Sequence, residues 1–173
     1  MDMFKRPKDS LYRLWLFLIL ASTLIYIASF VAGLGIEIPL TIAKNVCKVE
    51  TSALGIAESY ILPLVPIVGA GITSAELAYL GVCINYPITS VTTPVMTVVR
   101  GVLACMIALL FAVPTADSIL FFAALILHAT CKTGEDKVKT RELVKGIGSI
   151  YVQHVVLVII ILLVLTFIVY LTP

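Results

Sequence analysis

The chain has 173 residues, of which 61% are apolar and only 13% charged, and its mean hydropathy is +1.12. Soluble domains average about 45–50% apolar and about 25% charged residues, so too little polar surface is present to clothe a water-facing exterior. That excludes an ordinary soluble domain, and the small net charge of +2 gives no reason to expect nucleic acid as a partner. The expected fold class is all-α: a polytopic integral membrane helix bundle of about five spanning helices, in contact with the lipid bilayer, the second helix broken.

The first span is predicted over 14–36, long enough to cross a hydrocarbon core that takes about 20 apolar residues. It is preceded by Lys5, Arg6, Lys8 and Arg13 and is longer than the 7–15-residue apolar stretch of a cleaved signal peptide. Tyr12 and Trp15 read as interfacial anchors. Glu37 and Pro39 end the span, and the polar connection from Glu37 to Glu58 has the spacing of a short amphipathic helix lying on the interface.

The second apolar stretch, 60–86, reads as two half-helices. Pro63 and Pro66 stiffen its start, Gly69-Ala70-Gly71 interrupts it, and Thr73-Ser74-Ala75-Glu76 has the pattern of a capping box opening a new helix. Exposed backbone at membrane depth is tolerable only where protein buries it or water reaches it. The break is therefore the expected site for a small solute or ion, with backbone groups of Gly69 and Gly71 as ligands and Glu76 as charge or proton carrier. Asn85 would line the path by hydrogen bonding. Glu76 has an equally simple structural reading, as a cap satisfying its own helix.

A third span is predicted over 94–113, with Pro94 at the first helical position. Arg100, about two turns inside, either snorkels to the interface or serves as counter-charge to Glu76. Pro114-Thr115 reads as a tight turn, with Asp117 favouring the positive N-terminal end of the next helix. The fourth span covers 115–131, the polar stretch Lys132–Lys145 follows as a loop, and a fifth span covers 147–171.

Basic residues flank cytoplasmic span ends. They cluster before the first span and between the fourth and fifth, which predicts a cytoplasmic N-terminus and an external C-terminus in the cell membrane. Were 60–86 a re-entrant hairpin, this five-span reading would put the basic loop outside.

The four cysteines, Cys47, Cys83, Cys105 and Cys131, form no CxxC pattern and read as small buried hydrophobes. His128 and His154 fall at comparable predicted depth in consecutive helices. They invite three readings: interfacial hydrogen bonds, a proton or metal role, or axial ligation of a haem b iron by an electron carrier. No cofactor is required by any motif. No HExxH, phosphate loop or serine–histidine–carboxylate set is legible, so an enzyme is not expected.

The stretch Pro63-Leu64, Val68-Gly69, Ala75 and Ile84-Asn85-Tyr86, with Leu127-His128-Ala129 later, resembles Gate-domain (nucleoside-recognition-type) multi-pass membrane proteins over about 60–130. That resemblance implies permeation or gating, with the solute undefined. The chain departs from the family after His128, where Thr130-Cys131-Lys132 stands in place of a nearby Pro and Glu. The sequence thus supports a transport or permeation protein, as a homo-oligomer or with a membrane-complex partner. The alternative is a non-catalytic accessory or scaffold subunit of a larger complex.

Overall fold

The computed structural model describes residues 7–47, 68–86, 94–131 and 134–171, and every element among them is helical. In chain order these are α1 (Pro7–Leu34), α2 (Leu40–Val46), α3 (Val68–Asn85), α4 (Pro94–Thr130) and α5 (Glu135–Leu171). Three of the five, α1, α4 and α5, are long and apolar enough to cross a membrane. Their outward faces are apolar too: Leu20, Leu109 and Leu163 are each more than half exposed, a surface that suits lipid rather than water.

Several expectations about the helices need correction. The helix α3 runs unbroken from Val68 to Asn85, so Gly69 and Gly71 do not interrupt it and Thr73 does not cap it. Inside a helix the carbonyls of both glycines are taken by N–H groups four residues on. Thr73 is instead buried at the Tyr26 hydroxyl. Glycine weakens a helix by about 1 kcal/mol relative to alanine, and packing against α1 outweighs that. The prolines at 63 and 66 lie outside the described residues.

The predicted turn at Pro114 is also absent. Pro94–Thr130 is a single helix with Pro114 inside it, so 94–113 and 115–131 are one span. Proline withdraws the N–H that would bond the carbonyl of Leu110, and membrane helices accommodate this where side chains and neighbours compensate. Here Thr115 Oγ donates to the Phe111 carbonyl at 2.8 Å and Ser118 Oγ to the Thr115 carbonyl at 2.8 Å. Finally, most of the basic stretch is no loop. Glu135–Lys145 forms the exposed first turns of α5 after a turn at Gly134, whose φ of +89° suits glycine.

The helix α4 is central. Ala104, Ala108, Ala112 and Ala116, all essentially buried, recur every four residues and let neighbours approach closely. Tyr26 and Phe30 of α1, Leu77 and Ile84 of α3, and Val158 and Leu162 of α5 pack with it into one core. A second cluster joins Leu11, Trp15 and Leu18 to Leu120, Ala124 and Ile147. It follows that the start of α1, the end of α4 and the start of α5 share one end of the bundle.

The helices α1 and α3 run parallel, because Tyr26 meets Thr73, Gly33 meets Ala78 and Ile38 meets Tyr86 in matching order. A Cβ on Gly33 would collide with the Ala78 carbonyl, and one on Gly81 with the Phe30 carbonyl. These two glycines set the approach of the helices. Thr115 already spends its proton on Phe111, so the Tyr26 hydroxyl is the donor to Thr115 Oγ1 at 2.8 Å. Thr73, Tyr26 and Thr115 thus end on a backbone carbonyl, fastening three helices together.

The opposite end is closed covalently. Cys47 and Cys83 form a disulfide with Cα atoms 5.6 Å apart, which corrects the reading of these two as small buried hydrophobes. The backbone N–H of Ile38 donates to Tyr86 Oη at 2.8 Å beside it. As expected, the segment after α1 contains a short helix, α2; its continuation to Glu58 lies outside the described residues.

Candidate functional site

Asp117 is the only Asp, Glu, Lys or Arg between Arg100 and Lys132. It lies roughly six turns into α4, not at a helix N-terminus as its place after Pro114 suggested, and its side chain is 3% exposed. A carboxylate in an apolar span costs about 2.5–3.5 kcal/mol on insertion scales unless partners compensate. Two do. Trp15 Nε1 of α1 donates to Oδ1 at 2.6 Å, and His154 Nδ1 of α5 meets Oδ2 at 2.5 Å. The Trp15 and His154 rings stack with centroids 6.2 Å apart and planes inclined by 23°.

Each helix supplies its residue for a local reason. Trp15 lies on the face of α1 that carries Leu11 and Leu18, the positions packed in the basic-end cluster. His154 follows Ile147 by two turns of α5, one above the other on the face toward α4. A cleft of about 300 Å³ opens between α1 and α5, floored by Asp117 of α4. Its walls are otherwise apolar (Leu11, Leu120, Ile147, Ile150), with Tyr12 and Trp15 as aromatic surfaces. The Tyr12 and Trp15 rings are 5.9 Å apart.

No family model matches this chain, and neither does any curated protein or solved structure. The chemistry must be read from the cluster itself. A carboxylate bonded to a tryptophan N–H and an imidazole is an arrangement in which a proton can lie between carboxylate and ring. Among the described residues no group of three or more His, Cys, Asp or Glu converges as a metal site.

The residues singled out from sequence are placed elsewhere, apart from His154. Gly69 and Gly71 lie in the first turns of α3, with open space around Gly71. Glu76 is partly buried on α3, and no ion pair among the described residues joins it to Arg100. Asn85 is exposed at the end of α3. His128 Nδ1 is paired with Thr140 Oγ1 at 3.0 Å, near the α4–α5 turn. About 14 residues, roughly 21 Å of helix, separate Thr140 from His154, so the two histidines do not meet at one depth. Their predicted alignment assumed a loop through Lys145, whereas α5 begins near Glu135.

Asp117 and Trp15 were missed as site residues. Taking Pro114 as a turn placed a mid-helix acid at the positive end of a new helix, and taking Trp15 as an interfacial anchor pointed it outward. The available signal was a lone acid inside an apolar run of membrane-spanning length.

Proposed function

We propose that this chain is a multi-pass integral membrane protein of the cell membrane that passes a small solute or ion by way of the Asp117 cleft. The observation that carries the reading is the buried Asp117, bonded to His154 at the floor of a cleft within helices of spanning length. Ionisable residues in such places mark substrate and proton pathways. In this reading the Asp117–His154 pair gives up and regains a proton, and the glycines of α3 are packing residues rather than ligands. The likeness to Gate-domain proteins belongs to the proposal as regards activity class only, since Gly69 and Asn85 line no part of the cleft. Lipid surrounds the bundle, and a homo-oligomer or a membrane-complex partner completes it.

The proposed orientation has a cytoplasmic N-terminus and an external C-terminus. The start of α1, which carries Arg13, and the basic start of α5 share one end of the bundle, as the positive-inside rule favours for the cytoplasm. The disulfide sits at the other end, where an oxidising compartment suits it. With α4 a single span, and Cys47 and Cys83 joined at the end opposite the basic one, this reading keeps the start of α1 and the start of α5 on one side.

On this topology, intact cells treated with a membrane-impermeant maleimide after reduction gain label at Cys47 and Cys83, and a chain with both replaced by Ser gains none. Label requiring lysis as well as reduction would invert the orientation.

The activity is tested in liposomes holding a pH-sensitive dye, with a potassium diffusion potential driving protons. Wild type is expected to speed pH equilibration over empty vesicles, and Asp117→Asn to slow it at least about tenfold, the effect of about 1.4 kcal/mol in a barrier. A folded Asp117→Asn as fast as wild type removes the site from the mechanism. Wild type no faster than empty vesicles leaves the accessory-subunit reading, in which the cluster only holds three helices together.

A further inference from the structure

The cleft is asymmetric in charge. Its lining includes one fixed anion, Asp117, and no Lys or Arg. Two aromatic rings, Tyr12 and Trp15, stand on the α1 side, and aliphatic side chains complete the wall. A ligand entering must match a single buried negative charge, aromatic faces that attract cations, and an apolar surround that rejects strongly hydrated ions. A metal ion would find a single carboxylate, since no group of three or more His, Cys, Asp or Glu converges among the described residues. An anion would meet Asp117. A neutral apolar molecule would leave the carboxylate's charge unbalanced.

We infer that the cleft binds a small lipophilic organic cation, a quaternary ammonium or protonated amine carrying an apolar group, in electrostatic exchange with the proton on His154. This names the solute class for the transport reading above and rests on it for the exchange. With His154 protonated, the imidazolium neutralises Asp117 and the cleft has no net attraction for a cation. With His154 neutral, the carboxylate's charge is free to be balanced by the ligand. One site therefore holds either the extra proton or the cation. The other titratable groups facing Asp117 are Tyr12 from α1 and Tyr151 from α5, the latter close enough to feel the Asp117 charge; α4 adds none beyond Asp117 itself. The cleft lies level with the first turns of α1 and opens between α1 and α5, a position from which a cation partitioned into the bilayer enters sideways.

Trp15 is the single tryptophan of the chain, so its fluorescence reports the site directly. The purified full chain in a maltoside detergent is titrated with benzyltrimethylammonium, and in parallel with neopentylbenzene, which has the same shape and no charge. Saturable quenching or shift of Trp15 emission is expected with the cation and not with the neutral isostere. Affinity is expected to be higher at alkaline than at acid pH and to fall at least about tenfold in Asp117→Asn, the worth of one buried charge contact. In His154→Asn, which keeps an N–H toward Asp117, the pH dependence of binding should flatten.

Equal binding of the neutral isostere overturns the inference, as does a wild-type response unchanged between acid and alkaline pH. A response to dodecylphosphocholine but not to benzyltrimethylammonium assigns the cleft to a lipid headgroup and also overturns it. The two proposals fail separately. Cation binding without vesicle flux leaves the site standing and removes transport, whereas flux without cation binding removes only the solute class.

Discussion

Asp117→Leu is expected to lower stability by about 2–5 kcal/mol, the range for leaving buried polar partners uncompensated. Leucine is similar in volume to aspartate plus a methyl group, so the loss does not come from a void. It comes from Trp15 Nε1, which bonds Oδ1 at 2.6 Å, and from His154 Nδ1 on Oδ2. Both N–H groups would face an aliphatic side chain that cannot accept from them. Asp117→Asn keeps an acceptor for Trp15 and should cost much less. Thermal unfolding in detergent, followed by Trp15 emission and by size-exclusion profile, reads both variants. The triple replacement of Trp15 by Phe, Asp117 by Leu and His154 by Leu should recover much of the loss, because no partner is then stranded. An unchanged midpoint for Asp117→Leu alone would mean that the cluster is not buried as described.

Gly81→Leu should be as damaging, by a different route. A Cβ at Gly81 meets the backbone carbonyl of Phe30, and backbone cannot swing aside as a flexible side chain can. The helices α1 and α3 must separate, at a cost of about 3 kcal/mol or more from overpacking and lost contacts. The disulfide and the Ile38–Tyr86 bond resist that separation at one end, so strain falls on the Tyr26–Thr73 contact further along. Gly71→Ala is the contrasting variant. A Cβ there meets nothing within 4 Å, and inside a continuous helix alanine should add up to about 1 kcal/mol. Measured by thermal unfolding, Gly71→Ala separates the helical α3 from a chain broken at Gly69–Gly71. A broken chain would lose stability on that substitution.

The candidate site was legible only in part. His154 was singled out for the right general reason, an imidazole in an apolar span, but paired with the wrong partner. Its alignment with His128 followed from counting residues across a presumed loop, and α5 begins about three turns earlier than that count assumed. Glu76 drew attention because Thr73-Ser74-Ala75-Glu76 matches a cap, yet the same four residues sit equally well inside a helix. Local pattern cannot decide between the two when tertiary packing is worth more than the glycine penalty.

Composition and hydropathy by themselves pointed to an all-helical fold, to segments of spanning length, and to basic residues clustered before the first span and again ahead of the last. Those properties depend on sums over many residues, and lipid-compatible apolar runs have few alternatives to helix. Only the tertiary structure decided that Pro114 stays within one helix, that Cys47 finds Cys83, and that Asp117 meets Trp15 and His154. Each depends on which faces of separate helices come together. A disulfide joins residues 36 apart and the Trp15–Asp117 bond joins residues 102 apart, distances over which no helical periodicity carries information.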